Sequence, residues 1–223
     1  MTFGGVIKVK NKKFLLFDLD GTVTDSAPGV IASAIYAMEK QSVPVPDSRT
    51  MAKFLGPPLK YSFMTYAGIE EERVEETIRL YREHYRVDGI YKNSLYPGAA
   101  DFFEKATAMG KVLLIASSKP KPFVETVLEY LKVDEYFSHI SAASFSDAHL
   151  SKATIVAKAM EMAGATAEDC VMIGDRIYDV EGARDNGIPC VGIVNGSIFE
   201  KELYEAGAAA VAADFSDLDK ILL

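Results

Sequence analysis

Four short stretches concentrate the side chains that could do chemistry. They are Asp18-Leu19-Asp20-Gly21-Thr22, Ser117-Ser118-Lys119-Pro120, Lys152, and Gly174-Asp175-Arg176-Ile177-Tyr178-Asp179. If they converge, Asp18, Asp20, Asp175 and Asp179 repel one another. A hard dication relieves that repulsion, and magnesium takes oxygen ligands, often one or two carboxylates plus phosphate and water. A carboxylate attacking a phosphate dianion also needs nearby cations to neutralise the developing charge. Aspartate is a nucleophile for phosphoryl groups, giving an aspartyl-phosphate. Each stretch alone has a plainer meaning. An Asp-x-Asp at a strand end commonly caps a helix, serine commonly ends strands, and a lone helix lysine is usually solvated. Their order and placement carry the chemical reading.

Something must bring them together. Apolar runs at 14–18, 112–117, 140–143, 170–174, 189–194 and 208–212 mostly lack strict alternation. That predicts strands covered on both faces, as in a parallel sheet. Between them lie helical patterns, Phe123, Val124, Val127, Leu128 and Leu131, then Ile155, Val156, Ala159, Met160 and Ala163. Strand and helix alternate from about residue 98 onward, which predicts βαβ units and a Rossmann-like α/β sheet with helices on both faces. Ligands of such sheets bind outside the carboxyl ends of the strands. Three of the four stretches follow an apolar run there, and Lys152 opens the helix before the fourth.

Residues 25–95 break the alternation and read as helical. Ile31, Ala34, Ile35 and Met38 share one face, and Val74, Ile78, Tyr81 and Tyr85 another. The expectation is a core domain of residues 1–24 and 96–223, with a small helical domain, 25–95, inserted after the first strand. The Glu70-Glu71-Glu72 run is expected to open a helix facing solvent, where the helix dipole favours carboxylates.

The net charge of −8, from 24 basic and 32 acidic residues, argues against a general nucleic-acid binder, which needs a basic stripe. It leaves a small phosphorylated metabolite open, since one local cation site serves that. Cys170 and Cys190 read as buried reduced thiols, too few for a disulfide framework. His84, His139 and His149 show no metal-ligand spacing and receive no catalytic role. The first ten residues lack the apolar stretch of a secretory leader, and no segment reaches the roughly 18 apolar residues of a membrane span. The expected location is cytoplasmic.

Taken in order, the motifs resemble those of the haloacid dehalogenase-like phosphatase superfamily, from Asp18 to Asp179. Leu55-Gly56-Pro57-Pro58-Leu59, Leu95-Tyr96-Pro97-Gly98 and Ser118-Lys119-Pro120 look like its phosphoglycolate phosphatase-like and nucleotidase-like branch. The resemblance implies a helical cap on the core. It also implies Mg2+-dependent hydrolysis of a small phosphate monoester, phosphoglycolate-like or a nucleoside monophosphate. In these roles Asp18 attacks phosphorus, while Asp20 protonates the leaving oxygen and later activates water. Ser117 and Lys152 hold the phosphoryl group. Asp18, Asp175 and the backbone carbonyl of Asp20 reach the metal, with Asp179 orienting metal-bound water or Lys152. Gly21, Thr22, Ser118, Lys119 and Gly56 are further phosphate or substrate contacts, Lys119 ranking behind Lys152. The alternatives are a β-phosphoglucomutase-like phosphomutase, a phosphotyrosine or pyrophosphate hydrolase, and a binding module without turnover. A dehalogenase is disfavoured by the second aspartate, Asp20.

Overall fold

The computed structural model describes residues 9–145, 150–197 and 199–223. Its chain forms two compact units. One comprises the chain up to Thr24 and from Leu95 onward, and the other is Asp25–Ser94.

The first unit is built on a six-stranded sheet: β1 (Phe14–Phe17), β2 (Val112–Pro120), β3 (Phe137–Ala143), β4 (Cys170–Gly174), β5 (Cys190–Ile193) and β6 (Ala210–Ala212). Their spatial order is β3-β2-β1-β4-β5-β6. Every pairing is parallel, with Leu16 opposite both Leu114 and Met172. β1 therefore lies inside the sheet, covered on both faces, which is why it reads as an unbroken apolar run.

The helices are numbered along the chain. In the second unit they are α1 (Ala27–Lys40), α2 (Ser48–Met51), α3 (Leu59–Ala67) and α4 (Glu71–Val87). In the first they are α5 (Ala99–Ala108), α6 (Lys121–Leu131), α7 (Lys152–Met162), α8 (Ile177–Asp185), α9 (Glu200–Ala206) and α10 (Phe215–Leu222). Adjacent strand residues point to opposite faces, and β1 shows both cores. Leu16 joins Leu114, Met172, Ile155, Val156 and Ala159 of the α7 side. Phe17 turns the other way and meets Phe102, Phe103 and Phe137 edge-on at 6.0, 5.6 and 6.2 Å.

In the helical unit, Val74, Ile78, Tyr81 and Tyr85 are buried along α4, as their spacing predicts. On α1 the buried stripe is Val30, Ser33, Ala34, Ala37 and Met38, so Ile31 and Ile35 flank it. Ser33 takes the central place because its hydroxyl is satisfied there. It donates to Gly29 O at 2.8 Å and lies 3.0 Å from His84 Nδ1. Glu70 precedes α4, and Glu70, Glu71 and Glu72 are exposed, as expected. No described helix is long and apolar enough to cross a membrane.

Candidate active site

All the candidate residues except Gly56 belong to the sheet unit. Gly56 belongs to the helical unit, where it sits in the turn before α3 at φ 103°. His84 belongs to that unit too, His139 lies in β3, and His149 falls outside the described residues.

Asp18 leaves the carboxyl end of β1, its N–H donating to Ile173 O of β4 at 2.9 Å. The following turn is tight. Val23 and Thr24 N–H both donate to Leu19 O, and Gly21 N–H donates to Thr24 O at 2.8 Å. Gly21 adopts φ 86°, and a Cβ there would fall 2.3 Å from Asp175 Oδ2. Glycine is thus required twice, by the backbone angle and by the approach of the loop to Asp175. Thr22 Oγ1 donates to Asp175 Oδ1 at 3.3 Å.

The carboxyl end of β4 supplies the other carboxylates. Gly174 has Asp179 packed where its side chain would stand, with Asp179 Cγ 2.2 Å from an ideal Cβ. Asp179 accepts from Arg176 N–H at 3.0 Å through Oδ2 and meets Lys152 Nζ at 2.8 Å through Oδ1. Lys152 also meets Asp18 Oδ1 at 2.7 Å. Its place at the start of α7 depends on α8, because Gly182 admits the lysine stem and a Cβ there would lie 2.8 Å from Lys152 Cγ. Asn186 adds a tie between the two helices, donating to Ala153 O and Gly182 O at 2.9 and 2.8 Å.

Asp18, Asp175 and Asp179 each offer an oxygen, all within 4.8 Å of one another. Burial, with the charges of Asp179 and Asp20, raises the Asp18 pKa to about 6 against the pull of Lys152. Burial, then Asp179 and Asp18, raises Asp175 well above the usual carboxylate value. Burial works against the Lys152 ammonium, but the charges of Asp179 and Asp18 outweigh it and hold its pKa above that of an ordinary lysine. Together these shifts describe clustered anions that one lysine does not fully neutralise. An oxygen-rich, mutually repelling donor set of this kind fits a hard dication. Asp179 spends both oxygens on Lys152 and Arg176, which suits it to orient Lys152 more than to coordinate.

Ser117 is buried at 2% exposure in β2, whereas Ser118 is exposed. Lys119 Nζ lies 2.9 and 2.8 Å from the two oxygens of Asp20.

Asn195 carries no motif signal beyond its Asn-Gly turn, and no role follows from sequence. It holds φ 46°, and its side-chain amide donates to Gly21 O at 3.1 Å and Thr22 O at 3.2 Å. It thereby anchors the loop after Asp20 from the carboxyl end of β5.

A parallel α/β sheet with a carboxylate-lysine cluster at its central strand ends defines a class of hydrolase, and comparison with known proteins places it. The family model described as haloacid dehalogenase-like hydrolase matches residues 15–193, and the chain belongs to that family. A 5'-nucleotidase of Pseudomonas aeruginosa is 34% identical over 208 residues, covering 93% of this chain and 94% of the relative. A phosphoglycolate phosphatase of Yersinia pestis is 26% identical, covering 96% and 94%. A crystal structure described as a predicted phosphatase from Clostridium acetobutylicum superposes with a TM-score of 0.86 at 37% identity, covering 94% and 97%. The chain is accordingly a phosphatase of the haloacid dehalogenase-like family.

Proposed function

We propose that the protein is a Mg2+-dependent phosphatase that hydrolyses a small phosphate monoester, phosphoglycolate-like or a nucleoside monophosphate, through an aspartyl-phosphate on Asp18. The observation that carries this reading is the linkage of Asp18 through Lys152 to Asp179, with Asp175 in the same cluster.

Asp18 and Asp175 would hold the cation, with the Asp20 carbonyl as a further donor. Magnesium, when bound, supplies positive charge that screens the two approaching anions and steadies the phosphoryl oxygens. The remaining chemistry belongs to this chain. Lys152 fixes the Asp18 carboxylate and neutralises part of its charge. Ser117 donates its hydroxyl to a phosphoryl oxygen. A carboxylate oxygen of Asp18 forms the bond to phosphorus as the ester P–O bond breaks, and the leaving oxygen takes a proton from Asp20. Water then attacks the same phosphorus and gives its proton to Asp20. The Asp18–phosphorus bond breaks, and inorganic phosphate and free Asp18 result. Asp179 and Gly174 act earlier, by placing Lys152.

The test is phosphate release over a panel of phosphorylated metabolites, with Mg2+ and with a chelator. Wild type should turn over one class, and only with the metal. Asp18→Asn should abolish turnover while keeping the wild-type far-UV spectrum and unfolding midpoint. Metal-dependent hydrolysis surviving in Asp18→Asn would sink the mechanism. Interconversion of sugar phosphates outpacing phosphate release would replace the phosphatase with a mutase.

A further inference from the structure

We infer that Lys119 is a positioning residue for Asp20 and not a ligand of the phosphoryl group. The inference rests on the reading that Asp20 handles the proton of the leaving oxygen, and it concerns how this chain keeps that carboxyl in place.

The backbone of β2 is irregular at this point. Ser117 lies opposite Ala142 and Pro120 lies opposite the next residue, Ala143, so Ser118 and Lys119 are extra residues on β2. A bulge of this kind re-aims side chains at a strand end. Its inner edge is closed by Lys119 N–H donating to Ser117 Oγ at 3.3 Å. Pro120, which fixes its own φ, leads directly into α6. The bulge sends Lys119 across to the β1 loop, where its ammonium sits 2.9 and 2.8 Å from the two oxygens of Asp20.

The two partners are held unequally. The Lys119 side chain is 7% exposed and that of Asp20 is 31%. The lysine is therefore the packed anchor and the aspartate the side chain that needs one. A half-buried carboxyl on a turn has several rotamers, and only those aiming an oxygen at the ester are productive. An ammonium with three donors can hold one oxygen of Asp20 while the other carries or receives the proton. The proton passes from Asp20 to the ester oxygen as the P–O bond breaks, and a water proton returns to Asp20 in the second half. Lys119 keeps its own protons throughout. The two lysines thus divide the site, Lys152 serving Asp18 and Asp179, and Lys119 serving Asp20.

The discriminating variable is the leaving group. An alkoxide needs a proton to depart and p-nitrophenolate does not, and kcat/KM covers the steps through that departure. The experiment compares glycerol 2-phosphate with p-nitrophenyl phosphate in wild type, Lys119→Met, Lys119→Arg, Asp20→Asn and the Asp20→Asn/Lys119→Met double variant. Lys119→Met should lower kcat/KM for the alkyl ester by about 100-fold, within the usual range for a general acid, and at least about tenfold more than for the aryl ester. Asp20→Asn should show the same bias, and the double variant should be no slower than Asp20→Asn on the alkyl ester. Lys119→Arg keeps a cation on Asp20 and should recover part of the alkyl activity, which also serves should Lys119→Met fail to fold. Equal losses on both esters in the Lys119 variants, or losses that multiply in the double variant, would overturn the inference in favour of direct phosphoryl contact. Asp18→Asn separates the two levels, because turnover surviving there defeats the nucleophile assignment and leaves the Lys119 comparison to be read by itself.

Discussion

Gly21 shows how a single hydrogen atom can be a structural requirement. Its φ of 86° lies in the left-handed region, and an added methyl would stand 2.3 Å from an Asp175 oxygen. Neither the backbone turn nor the carboxylate can yield without disturbing the cluster, since Asp175 lies within 4.8 Å of Asp18 and Asp179 oxygens. Gly196 provides the internal control. It adopts φ 82°, yet nothing lies within 4 Å of its ideal Cβ. Gly196→Ala should therefore cost only the left-handed penalty, about 1–2 kcal/mol. Gly21→Ala should cost more than that and lower kcat by about 100-fold through displacement of Asp175. Urea unfolding and steady-state kinetics on the two variants check this. Equal effects at the two positions would mean that the backbone angle, and not the approach to Asp175, makes Gly21 necessary.

At the scale of elements, the sheet exists because β1, β2 and β4 bury both faces, and Leu16 tests that. It is fully buried among Leu114, Met172, Ile155, Val156 and Ala159. Leu16→Ala should destabilise by about 2–5 kcal/mol, as large-to-small core changes do. Met162→Ala, on the exposed side of α7, should stay within about 0.5 kcal/mol. A similar shift in urea midpoint for both would refute the two-faced core. The same burial explains what could be read from sequence. Interior strands appear as apolar runs, so β1 and β4 emerge directly, and with them Asp18 and Asp175 at their ends. The edge strand β3 begins at Phe137 instead of 140 because its first positions tolerate the exposed Ser138 and the half-buried His139. The β2 bulge has no periodic signature, so the contact of Lys119 with Asp20 could not be read from the sequence. Asn195 is further from legibility still. Its role consists of two bonds to residues more than 170 positions away, and no local pattern encodes such a contact.

At the scale of the whole molecule, the two thiols offer a probe confined to one unit. Cys170 opens β4 and Cys190 opens β5, both in the cluster around Leu16, and residues 25–94 contain no cysteine. Burial, with a smaller push from the Asp169 charge, raises the Cys170 pKa to about 11. Burial, then Asp179, raises Cys190 well above its usual value. The folded chain thus holds these protons more tightly than the unfolded chain, whose thiols titrate near pH 9. Their contribution to stability is complete below that pH and is lost as pH rises through the folded values, so the sheet unit weakens from about pH 9 upward. The urea midpoint should fall over that interval in wild type and fall less in Cys170→Ala/Cys190→Ala, a difference that removes the other alkaline groups from the comparison. Below pH 9, a thiol reagent should react with native protein only as fast as the sheet opens, because the thiolate is the reactive form. Rapid labelling of the folded chain at pH 8 would refute the burial of both thiols. Far-UV circular dichroism followed in parallel reports on both units, so coincident curves mean that the helical unit and the sheet unfold as one cooperative body. A circular dichroism change that precedes labelling means instead that Asp25–Ser94 melts first and leaves the sheet unit intact.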